Sequence, residues 1–104
     1  MDIIKNLENM ITSGQDNALL RYSLGNEYFR TKKYTEAIKH LNKAVELDPQ
    51  YSAAWKLYGK ALAANNQTNE AIKAYEKGIA VAEKKGDIQA GKEMKVFLKR
   101  LTNT

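Results

Sequence analysis

The run Glu36-Ala37-Ile38-Lys39 returns as Glu70-Ala71-Ile72-Lys73, 34 residues further along the chain. Gly25 and Gly59 keep that offset, as do Lys43 and Lys77, and the pairs Leu24/Tyr58, Tyr28/Leu62, Leu41/Tyr75 and Ala44/Gly78 preserve apolar or small character in the same register. A fixed offset of this length marks stacked supersecondary units, each carrying an apolar face that it cannot bury alone. The chain is therefore constrained to lay one unit against the next.

The residues that interrupt secondary structure say what the units are made of. One proline and six glycines are spread over 104 residues, leaving long uninterrupted segments suited to helices, whereas a β-rich fold would need more turn residues. Each unit divides into two helices, predicted at Ala18 to about Lys32 and Thr35 to about Asp48, then at Ser52 to about Asn65 and Asn69 to about Lys85. Asp16 or Asn17, Thr35, Ser52, and Thr68 or Asn69 are candidate N-caps, since their side-chain oxygens can accept from the unpaired N–H groups of a first turn. Pro49 cannot donate to a continuing helix and pushes Asp48 away from helical torsions, so it separates the units.

Two further helices flank them. Ile3, Ile4, Leu7, Met10 and Ile11 fall at helical spacing and stop at Gly14. Asn6, Glu8 and Asn9 interrupt any apolar core that an export leader would need. After Gly86 the repeat is lost, because the residue one period beyond Gly59 is Glu93. The stripe Ala90, Met94, Phe97, Leu98 and Leu101 has a different phase and reads as a capping helix, with Gly86 closing the helix before it and Asp87 as its N-cap. The expected organisation is one all-α domain: an N-terminal helix at 1–14, a first unit at 18–51, a second at 52–85 and a cap at 86–102. No apolar run approaches a membrane span. With no cysteine to form disulfides, a cytoplasmic setting is expected.

The offset and the residues carrying it resemble the tetratricopeptide repeat. The pattern is met by Leu24, Gly25, Tyr28, Ala37, Leu41, Ala44 and Pro49 in the first unit, and by Trp55, Tyr58, Gly59, Leu62, Ala71 and Tyr75 in the second. Arg21 stands where the family usually has tryptophan, and Gly78 and Glu83 where it prefers alanine and proline; these departures are expected to weaken individual contacts. The resemblance implies an α-solenoid of about six helices, a right-handed superhelix of antiparallel pairs, acting as a non-catalytic protein–protein interaction module.

Nothing in the sequence assembles reactive chemistry. His40 lies one turn after Glu36, but no hydroxyl or metal-binding partner accompanies the pair, and the expected reading is a solvated helix histidine. No phosphate loop, dinucleotide fingerprint, zinc-protease or calcium-loop pattern occurs. Asn66-Gln67-Thr68 fits a glycosylation sequon but reads as a turn leading to a cap. No catalytic residue, metal site or cofactor is assigned.

In this family the first helices of successive units line a concave groove. The corresponding positions here are Leu19, Tyr22, Asn26, Phe29 and Arg30, then Ala53, Lys56, Lys60, Ala63 and Ala64, and helical spacing puts each set on one stripe. Tyr22, Asn26, Phe29, Arg30, Lys56 and Lys60 are the candidate site. Asn26 can donate to and accept from a peptide backbone at once, the aromatic rings offer apolar contact, and the three cations would attract carboxylates. The expected partner is an acidic peptide segment of another protein. The family's clamp for the C-terminal carboxylate of heat-shock chaperones is not reproduced: Asn26 matches one clamp position, but Tyr22, Leu57, Asp87 and Gly91 replace its other polar and basic residues.

The C-terminal third suggests two other partners. Lys84, Lys85, Lys92, Lys95, Lys99 and Arg100 form the best footprint for nucleic acid in a chain of net charge +5. Interleaved Glu83, Asp87 and Glu93 and the lack of an aromatic platform argue against that partner. The stripe Met94, Phe97, Leu98 and Leu101 could cap its own stack or pair with a second copy in a homodimer.

Overall fold

The computed structural model describes residues 2–103, and among these every regular element is an α-helix. The helices are α1 (Ile3–Thr12), α2 (Ala18–Arg30), α3 (Tyr34–Leu47), α4 (Ser52–Ala64), α5 (Thr68–Lys85) and α6 (Ile88–Thr102). Met1, included in the expected N-terminal helix, lies outside the described residues. Sequential helices pack as α2 on α3, α4 on α5 and α5 on α6, with α3 joining the two central pairs. The result is a short helical solenoid of 42 × 28 × 19 Å.

Close approach of paired helices depends on three glycines. A Cβ at Gly25 would lie 2.6 Å from Leu41 Cγ, and one at Gly59 would overlap the Tyr75 ring. At Gly78 a Cβ would meet Trp55 Cβ at 2.8 Å and collide with Met94 Sδ. Gly78, a departure expected to weaken a contact, instead leaves the space that the fully buried Met94 fills from α6. The other two departures also have structural roles. Arg21 forms a two-point ion pair with Asp16, at 2.8 and 2.9 Å, and Glu83 permits α5 to run on to Lys85, where Pro49 stops α3 at Leu47.

Two of the expected N-caps act as such: Asn17 Oδ1 accepts from Leu20 N–H and Asp87 Oδ1 from Ala90 N–H. Thr35, Ser52 and Thr68 or Asn69 do not, because α3, α4 and α5 each begin at or before them and follow Lys33, Tyr51 and Gln67 without a side-chain cap bond. Ser52 instead donates to Asp87 Oδ2 at 2.6 Å, tying the start of α4 to the start of α6. The turns inside the two pairs share a left-handed residue, Lys32 in the first and Asn66 in the second. The Asn66-Gln67-Thr68 stretch is thus a turn, with α5 starting at Thr68.

His40 corrects the reading of a solvated helix histidine. It is only 6% exposed and stacks on Tyr28 with ring centroids 5.6 Å apart and planes within 3°. Arg21 Nη1 lies 3.0 Å from His40 Nδ1; a guanidinium only donates, so Nδ1 accepts and the neutral ring carries its proton on Nε2. Burial, followed by the charges of Arg21 and Lys39, holds the imidazole below its ordinary value. Beside it, Tyr28 donates to Glu8 Oε2 at 2.8 Å, linking α2 to α1.

Two outcomes follow from this packing. Gly59→Ala is expected to cost about 1–3 kcal/mol of stability through forced displacement of Tyr75, read by urea denaturation. Because the folded state favours neutral His40, its contribution to stability is complete above the unfolded value of 6.5 and is lost as pH falls from there through the lowered folded value. Denaturation midpoints measured between about pH 7.5 and pH 5 should fall toward acid, and His40→Gln should flatten that slope.

Candidate functional site

The direction of curvature decides which helices line the hollow of the stack. α4 approaches both α2 and α6, whereas α3 and α5 do not come within 8 Å of each other at Cα. Helices α2, α4 and α6 therefore lie on the inner side of the curve and α3 and α5 splay outward. The splay opens a cleft of about 340 Å³ between α3 and α5, bordered by Trp55 and Tyr58. Both aromatic polar groups there are already used: Trp55 Nε1 donates to the Pro49 carbonyl at 2.8 Å and the Tyr58 hydroxyl to Asn42 Oδ1 at 3.2 Å.

The candidate residues from the sequence sort into free and engaged groups, and Arg30 borders a concavity with Asp2, Ile3 and Ile4 beside α1 rather than one facing α4 or α6. Asn26 is exposed on α2. Tyr22 is half-buried and packs on Tyr51, ring centroids 5.0 Å apart. Phe29 is also half-buried, 5.6 Å from the Tyr34 ring. Arg30 is exposed and pairs with Glu27 of its own helix at 2.6 Å, an arrangement worth little in solvent. Lys56 pairs at 2.8 Å with Glu93 of α6, so its charge is partly spent within the chain.

Lys60 is different. Its ammonium lies 5.5 Å from the Phe29 ring centre and 5.7 Å from that of Phe97, a placement in which ring quadrupoles hold the cation. It makes no ion pair among the described residues. The Arg100 guanidinium lies 5.8 Å from the same Phe97 ring. Three helices thus contribute to one cation–aromatic row: Phe29 from α2, Lys60 from α4, and Phe97 with Arg100 from α6.

Phe97, Arg100 and Glu93 belong to this surface but not to the candidate set drawn from the sequence. The repeat is lost after Gly86, so Glu93 and Arg100 have no counterpart among the groove positions of α4; Phe97 alone does. The available signal was the offset of 34 residues from Phe29 to Ala63 and again to Phe97. The clamp positions, unsuited by residue type, are also occupied: Leu57 and Gly91 are buried, and Asp87 is bound to Ser52 and the Ala90 N–H. Those two bonds hold the Asp87 carboxyl below the usual range.

The stripe Met94, Phe97, Leu98 and Leu101, considered for pairing between copies, packs largely on its own stack, where Met94 joins Tyr75, Ala82 and Ala90 in a buried cluster. No helix among the described residues is long and apolar enough to cross a membrane. Nor do the described residues bring three or more histidine, aspartate or glutamate side chains into a group able to hold a metal ion.

Comparison with known proteins places this architecture. Family models described as tetratricopeptide repeat match residues 18–51 and 40–73. A TPR repeat-containing protein of Pseudomonas aeruginosa is 48% identical over 99 residues, covering 95% of this chain and 94% of that protein. The chain belongs to the tetratricopeptide repeat family. As a tetratricopeptide repeat chain, it is a protein-interaction module.

Solved tetratricopeptide repeat and related structures share its shape. The solution structure of a Bordetella parapertussis protein is 42% identical with a TM-score of 0.85, covering 99% of this chain and 90% of that one. The second TPR domain of human RPAP3, solved in complex with the HSP70 peptide SGPTIEEVD, is 28% identical with a TM-score of 0.73, covering 88% of this chain and 78% of that one.

The Lys56–Glu93 contact can be checked directly. The Lys56 ammonium, by hydrogen bond and by charge, holds the Glu93 carboxyl below its ordinary value. In Lys56→Gln, a carboxyl NMR titration should find the Glu93 midpoint moved upward, while that of Asp16, held down by Arg21 instead, stays close to its original position.

Proposed function

We propose that the chain is a non-catalytic adaptor or scaffold that holds an acidic peptide segment of a partner protein along the inner side of α2, α4 and α6, in a cytoplasmic setting. The observation that carries this reading is Lys60, a cation held between Phe29 and Phe97 with no carboxylate partner among the described residues. A ligand carboxylate can complete its charge, while the two rings and the half-buried Tyr22 supply apolar contact. The exposed Asn26 amide can meet a peptide C=O and N–H together. Arg30 and Arg100 add positive potential that favours acidic segments and speeds their encounter. The HSP70 peptide held by the RPAP3 domain, SGPTIEEVD, has three acidic side chains, which agrees in character with this ligand class. A groove of this length reaches few ligand residues, so modest affinity is expected.

The test is an array of acidic nonapeptides and their Gln/Asn counterparts, probed with the full chain. Acidic members should bind preferentially. Asn26→Ala combined with Lys60→Glu should weaken them about tenfold with the helical circular dichroism unchanged, and Glu93→Gln, which releases Lys56, should strengthen them. Equal binding by the wild type and the Asn26/Lys60 variant would place the site elsewhere.

A further inference from the structure

The outer side of α6 carries a second pattern that the inner groove does not use. At 100° per residue, Ile88, Lys92, Lys95, Val96, Lys99 and Asn103 fall within about a third of the helix circumference, and all six are exposed. Ile88 is 69% and Val96 48% exposed, about 12 Å apart along the helix at 1.5 Å per residue. Each borders a concavity. Ile88 and Lys92 help to line one of about 280 Å³ between the end of α5 and the start of α6, and Val96 and Lys99 one of about 470 Å³ near the C-terminal end of α6.

We propose that this face of α6 is a docking surface for an acidic amphipathic helix of a partner protein. Two aliphatic side chains two turns apart suit the apolar stripe of a facing helix. The flanking lysines select carboxylates at its margins: Lys92 and Lys99 have no ion pair among the described residues, and Lys95 has only the exposed Glu83, at 2.8 Å. The same charges disfavour a second copy, since a two-fold contact would set lysines against lysines. Nucleic acid is disfavoured by the aliphatic centre, which offers no ring for a base to stack on; Phe97, the aromatic residue of α6, faces Lys60 on the inner side.

The experiment follows backbone amide shifts of the isotope-labelled full chain during titration with a helical peptide of about 18 residues, bearing leucines seven apart flanked by glutamates. A lysine-flanked version and oligouridylate serve as comparison titrants. Saturable shifts along the outward positions of α6 with the glutamate peptide alone are expected. The titrations are also run on the Asn26→Ala, Lys60→Glu background, which silences the inner side, and there Ile88→Ser with Val96→Ser, and separately Lys92→Gln with Lys99→Gln, should each weaken binding at the outward positions of α6 about tenfold. The proposal is overturned if the outward positions of α6 do not shift, or if adding the serine pair leaves the titration of those positions unchanged. It is equally overturned if oligouridylate binds the same face as tightly, or if sedimentation finds a dimer that the serine variant abolishes.

Discussion

Paired helices in this chain approach closely because a glycine on one accepts a large side chain from the next, and the stack depends on that fit. Gly25 receives Leu41, Gly59 receives Tyr75 and Gly78 receives Met94, and in each case the incoming residue lies 16 positions after its glycine. The first two contacts join the halves of the repeated hairpins. The third joins α5 to α6 and gives the last helix the same kind of seat, although its sequence has left the 34-residue register. An interior packed at crystal-like density leaves no room for a methyl group at such positions without displacement.

The parts of the fold legible in the sequence are those fixed by local chemistry or by the repeat. Pro49 cannot donate to a continuing helix and follows the end of α3, Gly86 adopts the left-handed torsions that close α5, and Asp87 caps the helix after it. The missed features are pairwise contacts between helices, which one helix's periodicity does not encode. Thr35 and Ser52 have the right chemistry for caps, but the helices start early enough to put both inside the first turn. His40 escapes a reading by spacing because spacing alone does not report depth. Its counterpart one period later is Ala74, which is buried, and Arg21, standing in a position where the family usually has a large ring, is the residue that meets it.

The candidate site was legible to the same extent. The stripes on α2 and α4 follow from helical geometry, so the positions of Asn26, Phe29 and Lys60 could be anticipated. Which cations retain an available charge could not, because that depends on partners from another helix. Lys56 and Lys60 lie one turn apart on α4 and face the same helix, yet one meets a carboxylate and the other a ring. Near the surface an ion pair of this kind contributes little to stability, but it changes what the face offers to a ligand.

The rotation of α6 accounts for that difference. Had α6 kept the repeat phase, Glu93 would occupy the position of Gly59, a place against the neighbouring helix with no room for a side chain. Seating Met94 against Gly78 instead turns Glu93 toward Lys56 and Phe97 toward Lys60. The same turn sends Ile88, Lys92, Val96 and Lys99 outward. A steric requirement in the core thus sets the charge pattern on both faces of the terminal helix, neutralising one lysine of the inner groove while leaving an aliphatic and basic stripe on the outside.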